Sequence, residues 1–104
     1  MNKETVLMRK IMVALSEAKC FVLRTNSGVF FDSNGGRVRI GFPGLSDLVG
    51  CTSEGRFFAI EVKLPGEHPR EDQKKFLNAM AATGALAGVA HSVEEALEIV
   101  KSTM

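Results

Sequence analysis

The sequence predicts a single α/β domain, residues 1–104, in which a mixed β-sheet is flanked by helices. Three observations support this fold class. The chain opens with an amphipathic segment of helical period, its middle alternates short strand patterns with turns, and its last third has a helix, a strand and a helix in succession. A chain of 104 residues can bury one modest hydrophobic core, which favours one domain.

Apolar side chains that recur every three or four residues define three helices, at 3–19, 70–83 and 92–102. Gly84 follows the second helix and is a typical helix-ending residue. Ser92 and Glu95 have the spacing of a capping box at the start of the third. Each helix therefore has one apolar stripe with which to cover the sheet.

Runs rich in branched and aromatic residues define the strands, which we expect at 20–26, in hairpins at 29–40 and 46–64, and at 86–90. Asn34-Gly35 is a strong hairpin-turn signal, and the second hairpin turns around Glu54. The segment 86–90 is apolar throughout, as expected of a buried strand with helices on both sides.

The most informative residues are Asp47 and Glu61, one on each strand of the second hairpin. A turn centred on Glu54 places them directly opposite each other, with Cβ atoms about 5 Å apart. Lys63 shares a face with Glu61, because strand side chains alternate. Opposed carboxylates destabilise a hairpin unless a cation lies between them, and a hard divalent cation takes oxygen ligands. On a solvated face the same residues would form only a charge pair.

Two further polar residues extend the apolar stripes of their helices. Glu4 lies one turn before the buried-face residues of the first helix, so it is either partnered or at the edge of the core. Otherwise the helix frays there and Glu4 is solvated. Gln73 continues the stripe of the second helix, where its amide could hold a carboxylate, a water molecule or a phosphate oxygen. The alternative is a partly exposed residue in the first turn.

Positive charge is concentrated in the first half of the chain, although the net charge is only +1. Residues 1–45 hold seven Lys or Arg against three acids, and residues 46–104 hold six against nine. The basic half could supply phosphate contacts to a nucleic acid. Arg37 and Arg39 share one face of a strand, which suits a DNA backbone, and a sheet edge protected by charge is an equal alternative.

Composition excludes several classes of protein. No apolar run is long enough to cross a membrane, and Glu4 and Arg9-Lys10 interrupt any signal-peptide pattern, so we expect a soluble, cytoplasmic protein. Cys20 and Cys51 form no metal or redox motif, and we expect them to be small core residues in strands. The sequence has no His/Cys cluster for zinc and no Gly-rich nucleotide-binding loop.

Taken in order, these residues resemble the VRR-NUC family, the virus-type replication and repair nucleases of the PD-(D/E)xK superfamily. The resemblance covers essentially the whole chain. It rests on Glu4, Arg24-Thr25-Asn26-Ser27-Gly28, Gly41-Phe42-Pro43-Gly44-Leu45-Ser46-Asp47, Glu61-Val62-Lys63 and Gln73. Ser46 stands where the family often has proline, but the acid that follows it is retained.

The resemblance implies a restriction-endonuclease-like core, with elements in the order αβββαβα, and a magnesium- or manganese-dependent endonuclease. The implied metal ligands are Asp47, Glu61 and the backbone carbonyl of Val62. Glu4 would act through a water molecule or bind a second ion.

The resemblance also implies roles for the remaining polar residues. Lys63 would orient or deprotonate the attacking water and stabilise developing negative charge, and Gln73 would position Lys63 or the water. The residues expected to contact DNA are Arg24, Asn26, Arg37 and Arg39.

Family members of this size resemble phage-type enzymes that act as homodimers on branched DNA such as four-way (Holliday) junctions. A four-way junction has approximate two-fold symmetry, so two cuts call for two symmetric sites, which a homodimer provides. The long 29–40 hairpin also offers an element for domain swapping between subunits. The alternatives are a flap or nicking endonuclease with the same metal site, and a catalytically inactive fold that only binds DNA or a partner.

Overall fold

The structure, a computed structural model, describes residues 1–26 and 28–101. Five consecutive strands follow the first helix, and a helix, a strand and a helix complete this part of the chain. The helices are α1 (Lys3–Glu17), α2 (Glu71–Ala82) and α3 (Val93–Lys101), and the strands are β1 (Phe21–Arg24), β2 (Gly28–Phe31), β3 (Arg37–Ile40), β4 (Leu48–Cys51), β5 (Phe57–Val62) and β6 (Leu86–Ala90). No helix in this part of the chain is long and apolar enough to cross a membrane.

Four of the strands form one mixed sheet in the order β1-β4-β5-β6. β1, β4 and β5 are antiparallel neighbours, whereas β6 runs parallel to β5 because α2 forms the crossover between them. β2 and β3 form a separate hairpin, inserted between β1 and β4. Without this insertion the element order is αβββαβα, so the predicted fold class, a mixed sheet flanked by helices, is confirmed.

Several elements are shorter than the sequence pattern suggested. α1 ends at Glu17 rather than at residue 19, because Lys19 has a left-handed backbone with φ of 69°. β1 ends at Arg24 rather than at residue 26, and Asn26 has φ of 50°. α3 ends at Lys101, and residue 102, which was expected to belong to it, lies outside the described residues.

The two cysteines are free thiols, and neither belongs to the fully buried core. Cys20 precedes β1 instead of lying within it, whereas Cys51 ends β4. Partial burial raises the pKa of the Cys20 thiol. Cys20 packs at the margin of the core, whereas Cys51 lies on the opposite face of the sheet beside Phe21 and Phe57, so the expectation of core residues is wrong for Cys51.

One face of the sheet carries the hydrophobic core beneath α1 and α3. Its large, fully buried side chains include Ile11 and Leu15 of α1, Leu48 of β4, and Phe58, Ile60 and Val62 of β5. Strand alternation sends Ala59 and Glu61 to the other face, where α2 packs over β5 and β6. All residues from Phe58 to Val62 are therefore buried, and one of them is an acid.

The loop between β3 and β4 docks on α2 and delivers Asp47 to the sheet. Phe42 packs against Phe76 of α2, with ring centroids 5.4 Å apart. Gly44 is buried at a φ of 90°, and a Cβ there would lie 2.3 Å from the backbone oxygen of Asp72. Only glycine allows this approach at positive φ. The Gly-x-Pro-Gly sequence thus holds the loop that ends at Asp47 against the start of α2.

Replacing Gly44 with alanine should destabilise the fold by about 2–4 kcal/mol, because a left-handed non-glycine residue is strained and the new Cβ clashes with backbone. Gly55 is the matched control, since its φ is 82° but nothing lies within 4 Å of an added Cβ. Gly55→Ala should therefore cost only the strain, about 1 kcal/mol. Urea unfolding measures both losses, and equal losses would contradict the docking role of Gly44.

Candidate active site

A cavity of about 330 Å³ opens where the loop before β4, the end of β5 and the start of α2 meet. It brings together side chains that are far apart in sequence. The charged and amide residues that line it are Glu4, Arg39, Asp47, Glu61, Lys63, Arg70 and Gln73. The acids and the lysine that the sequence singled out therefore share one concave site.

Asp47 and Glu61 face each other across the β4–β5 ladder. The register pairs Leu48 with Ile60, so the preceding position, Asp47, falls opposite Glu61, as the predicted turn required. The backbone N–H of Val62 donates a hydrogen bond to Asp47 Oδ2 at 2.9 Å. This bond ties the carboxylate of one strand to the backbone of the other.

Glu61 is buried, with only 2% of the residue exposed. Gln73 Nε2 donates to its Oε2 at 2.8 Å, and the Lys63 ammonium lies 3.6 Å from the same oxygen. The other oxygen, Oε1, is buried without a hydrogen-bond partner among the described residues. Burial is the largest cause that raises the pKa of Glu61, and the nearby Asp47 carboxylate is the next. Together they raise this pKa to about 7, although the Lys63 ammonium lowers it. Near neutral pH, Glu61 therefore either keeps its proton or, once ionised, needs a further cation to balance its charge.

The donor set fits a hard divalent cation such as Mg²⁺ or Mn²⁺. These ions prefer carboxylate and carbonyl oxygens, and one at Glu61 would satisfy the unpartnered Oε1 and separate two like charges. Within the described residues, no three side chains of His, Cys, Asp or Glu come close enough together to hold a metal ion. Glu4 shares the cavity but does not complete such a cluster. A cation would thus take two carboxylates, with backbone oxygen and water as its other ligands.

Gln73 has one of the partners that its place on the helix allowed, a carboxylate. Its amide holds the Glu61 carboxyl group, and the residue is buried rather than partly exposed. Its role in positioning Lys63 or the attacking water stays a prediction. Its Oε1 accepts the backbone N–H of Arg70 at 2.8 Å. Because the first turn of α2 fixes one side of the amide, the other side donates to Glu61 in a defined orientation.

Two residues at the site were given no role by the sequence analysis. Arg70, immediately before α2, lines the cavity with an exposed guanidinium. Thr25, just after β1, donates its hydroxyl to the carbonyl of Ser46 at 2.7 Å and its backbone N–H to the carbonyl of Asp47 at 3.0 Å. Arginine before a helix is common and carried no signal, whereas Thr25 belongs to a segment on which the family resemblance rests but had no role of its own. Thr25 fixes the backbone that presents the Asp47 carboxylate.

The residues expected to contact DNA divide into two groups. Arg39 lines the cavity, whereas Arg24, Asn26 and Arg37 are exposed outside it. Arg37 and Arg39 share a face of the β2–β3 hairpin, as their spacing predicted. Contact of these four residues with DNA stays a prediction.

A mixed sheet that presents two acids and a lysine at the end of a central strand points to a nuclease-type domain, and comparison with known proteins gives the family. The family model of the VRR-NUC domain matches residues 32–94, more than half of the chain. The chain belongs to the VRR-NUC family, as its motifs predicted. A solved structure described as a VRR_NUC domain has the same fold, with a TM-score of 0.68 and 17% identity over 100% of both chains. No curated protein matches the chain.

Replacing Glu61 with glutamine should stabilise the protein at pH 8 when divalent metal ions are absent. The folded protein holds a proton on Glu61 up to a pKa of about 7, whereas the ordinary value is 4.5. The stability contributed by this protonated group is complete below about pH 4.5 and is lost as the pH rises through 7. At pH 8 the free energy of unfolding is about 3 kcal/mol lower than it would be with Glu61 protonated in both states. The neutral amide of glutamine avoids much of this loss.

Urea unfolding in EDTA at pH 5 and pH 8 measures this effect. The Glu61→Gln variant should gain stability over the wild type at pH 8 and show little difference at pH 5. Glu54→Gln, in an exposed turn, is the control and should show no gain at pH 8. A gain that does not change with pH would contradict the burial of a titrating carboxyl group at Glu61.

Replacing Thr25 with valine removes the hydroxyl that holds the backbone before Asp47 but keeps the shape of the side chain. We expect the affinity for Mn²⁺ to fall about fivefold, because loss of one such hydrogen bond costs about 1 kcal/mol. Thr25→Ser keeps the hydroxyl and should bind Mn²⁺ nearly as the wild type does. Calorimetric titration at pH 8 measures both affinities, and a valine variant with wild-type affinity would rule out a positioning role for Thr25.

Proposed function

We propose that this protein is a Mg²⁺- or Mn²⁺-dependent, structure-specific DNA endonuclease that resolves four-way junctions as a homodimer. The observation that carries the proposal is the buried Glu61 carboxyl group, with one unpartnered oxygen, beside Asp47 and Lys63 at the end of β5. Membership of a nuclease-type family supports the same class of reaction, hydrolysis of a phosphodiester. The site chemistry and the family therefore point to one activity.

The proposed metal ligands are Asp47, Glu61 and the backbone carbonyl of Val62, with Glu4 acting through a water molecule or holding a second ion. When bound, the ion supplies Lewis-acid stabilisation of the phosphate and lowers the pKa of a water molecule. The chain contributes the placement of the acids. Val62 N–H holds Asp47, and Gln73 holds Glu61, so both carboxylates are oriented before substrate arrives.

Lys63 is the side chain that we assign to the attacking water and to the negative charge that develops on the phosphate. Its side chain is largely shielded from solvent, and its ammonium lies 3.6 Å from Glu61 Oε2. This carboxylate partner keeps the ammonium at the cavity instead of in bulk solvent. Gln73 acts on Lys63 indirectly, because it orients the carboxyl group with which Lys63 pairs.

Two arginines, Arg39 and Arg70, add positive charge to the same cavity, which suits the phosphates around a scissile bond. The contact would continue along the DNA backbone through Arg24, Asn26 and Arg37, which are exposed outside the cavity. Phosphate contacts position a duplex without reading its bases. The proposed enzyme therefore recognises the shape of a branch rather than a base sequence.

The homodimer follows from the symmetry of the proposed substrate. A four-way junction offers two equivalent strands, and paired cuts need two active sites related by a matching two-fold axis. The described residues of each chain form a cavity that contains a pair of opposed acids. Two copies would therefore supply the two sites that resolution of the junction requires.

Incubation of the purified protein with labelled four-way junction, flap, nicked and linear duplex DNA tests this function, with Mg²⁺, Mn²⁺ or EDTA. We expect paired, symmetric cuts in the junction that EDTA abolishes. Asp47→Asn and Lys63→Met should lower the cleavage rate by about 100-fold or more, because they remove a metal ligand and the cation beside the attacking water. Lys74→Met, at an exposed position on α2, should cut as the wild type does.

The outcomes distinguish the alternatives. Cutting of flaps or nicked duplex in preference to junctions would retain the metal site and remove the junction assignment. DNA binding without cutting under every metal condition would indicate an inactive, DNA-binding fold. Wild-type cleavage by the Asp47 or Lys63 variant would contradict the assigned site.

A further inference from the structure

One face of the β2–β3 hairpin combines an aromatic ring with basic side chains. Phe31 on β2 lies directly opposite Arg37 on β3. Val29 lies directly opposite Arg39. Cross-strand neighbours point to the same side, so these four side chains share one face, which we call the arginine face. Phe31 is 71% exposed and both arginines are exposed, so the ring lies in solvent beside two guanidinium groups.

Both arginines keep their charge available for a ligand. In the described part of the chain, neither guanidinium group forms an ion pair with an acid. Asp32, the one acid between residues 28 and 40, is engaged elsewhere. Its Oδ1 accepts the backbone N–H groups of Asn34 and Gly36, at 2.9 and 2.7 Å. The arginine face therefore carries two positive charges, which suit an anionic ligand.

The turn of the hairpin holds the Phe31–Arg37 pair in place. The backbone N–H of Asp32 donates to the carbonyl of Gly36 at 2.8 Å, and the N–H of Gly35 donates to the carbonyl of Asp32 at 3.0 Å. These bonds and the two that the Asp32 carboxylate accepts close the turn directly beside the pair. A ring on a fixed backbone loses less freedom on binding than a ring on a flexible loop.

The arginine face leads outward from the active-site cavity. Arg39 lines the cavity, whereas Phe31 and Arg37 lie outside it. Two residues of a strand span about 7 Å, so the Phe31–Arg37 pair lies about that far from Arg39 along the hairpin. One DNA strand advances about 3.4 Å per nucleotide, so this distance is a step of about two nucleotides. A DNA strand with a phosphate at Arg39 would thus pass Phe31 close to the scissile bond.

We propose that the arginine face binds the DNA strand beside the scissile phosphate, with the ring of Phe31 stacked on a base that is exposed at the branch point. Arg37 and Arg39 contact the phosphates of the same strand. In a continuous duplex the bases stack on one another, whereas a branch interrupts the stack and leaves a flat base surface without a neighbour. An aromatic ring replaces that neighbour and accepts every base.

The family favours DNA as the occupant of the arginine face over an acidic protein segment, because the chain belongs to a nuclease-type family. Phe31 would then select a branched structure without selecting a base sequence. This inference deepens the proposed function. It rests on that function for its substrate, but not on catalysis.

Fluorescence anisotropy in EDTA tests the stacking contact, with a labelled four-way junction and a linear duplex of the same arm sequence. Phe31→Leu removes the ring but keeps an apolar side chain, so it should bind the junction roughly tenfold more weakly. Its affinity for the duplex should stay that of the wild type, which also shows that the variant is folded. Phe31→Trp keeps a ring and should bind the junction at least as tightly as the wild type.

Two further variants separate stacking from charge and from position. Arg37→Gln should weaken binding to the junction and the duplex about equally, and should reduce the salt dependence by about one phosphate contact. Phe30→Leu is the matched control for Phe31→Leu, because Phe30 is exposed on the other face of the same strand. It should change neither affinity.

Photocrosslinking locates the stacked base. A junction with 5-iodouracil at the branch point should crosslink to Phe31, as mapped by peptide mass spectrometry, whereas 5-iodouracil in the middle of an arm should not. A crosslink to Phe31 from the arm would overturn the proposal. Equal losses by Phe31→Leu on junction and duplex would also overturn it. No loss on either DNA would overturn it as well and would leave the arginine face to an acidic protein partner.

These measurements need no cleavage, so they separate this inference from the proposed function. A protein whose junction binding depends on Phe31 but that cuts no DNA would support the stacking contact and refute the nuclease activity. A protein that cuts junctions, with a Phe31→Leu variant that binds and cuts them as the wild type does, would retain the nuclease and overturn the stacking contact.

Discussion

The buried carboxyl group of Glu61 is the constraint on which the rest of the site depends. It lies in the central strand β5 among apolar residues, and Asp47 opposes it across the ladder. Removing a carboxylate from water costs several kcal/mol, and a second carboxylate nearby adds to that cost. One hydrogen bond from Gln73 and the ammonium of Lys63 offset part of it, and both act on the same oxygen, Oε2. The fold therefore leaves Oε1 to a proton or to a metal ion.

Backbone groups, more than side-chain packing, define where the two acids point. Val62 N–H holds the Asp47 carboxylate, Thr25 holds the Asp47 carbonyl, and Arg70 N–H holds the amide that reaches Glu61. These groups come from β5, from the segment after β1 and from the start of α2. Secondary structure fixes backbone donors far more firmly than rotamers fix side chains. A chain of 104 residues can thus orient the acids of its candidate site with a small core.

The parts of this arrangement that could be predicted from the sequence are the local ones. Strand alternation and the turn around Glu54 determine the register of the second hairpin, so the opposition of Asp47 and Glu61 followed directly. Gln73 was correctly placed on the buried side of α2, with a carboxylate among its possible partners. The sequence did not select Glu61 from these partners, because the distance from α2 to each neighbour on β5 is a tertiary property. Thr25 acquires its role only when the end of β1 meets the loop before β4.

The exposure of Phe21 and Leu23 on β1 could not be predicted for the same reason. Alternation tells which residues of β1 share a face, but not which element covers that face. The outcome depends on where α2 settles, and the parallel pairing of β6 with β5 places α2 over those two strands. Phe21 and Leu23 are consequently left at the surface, although their sequence pattern is that of an ordinary strand.

The segment from Gly28 to Asp47 places the unsupported hairpin, Arg39 and one of the acids on one continuous stretch of chain. Between the hairpin and Asp47, Gly44 is pressed against the backbone of α2 and Phe42 packs on Phe76. These two contacts fix the backbone that leads into Asp47. Arg39 comes before them along the chain, on the exposed hairpin. The cavity therefore combines an acid that α2 and β5 hold in place with an arginine that a separate hairpin carries.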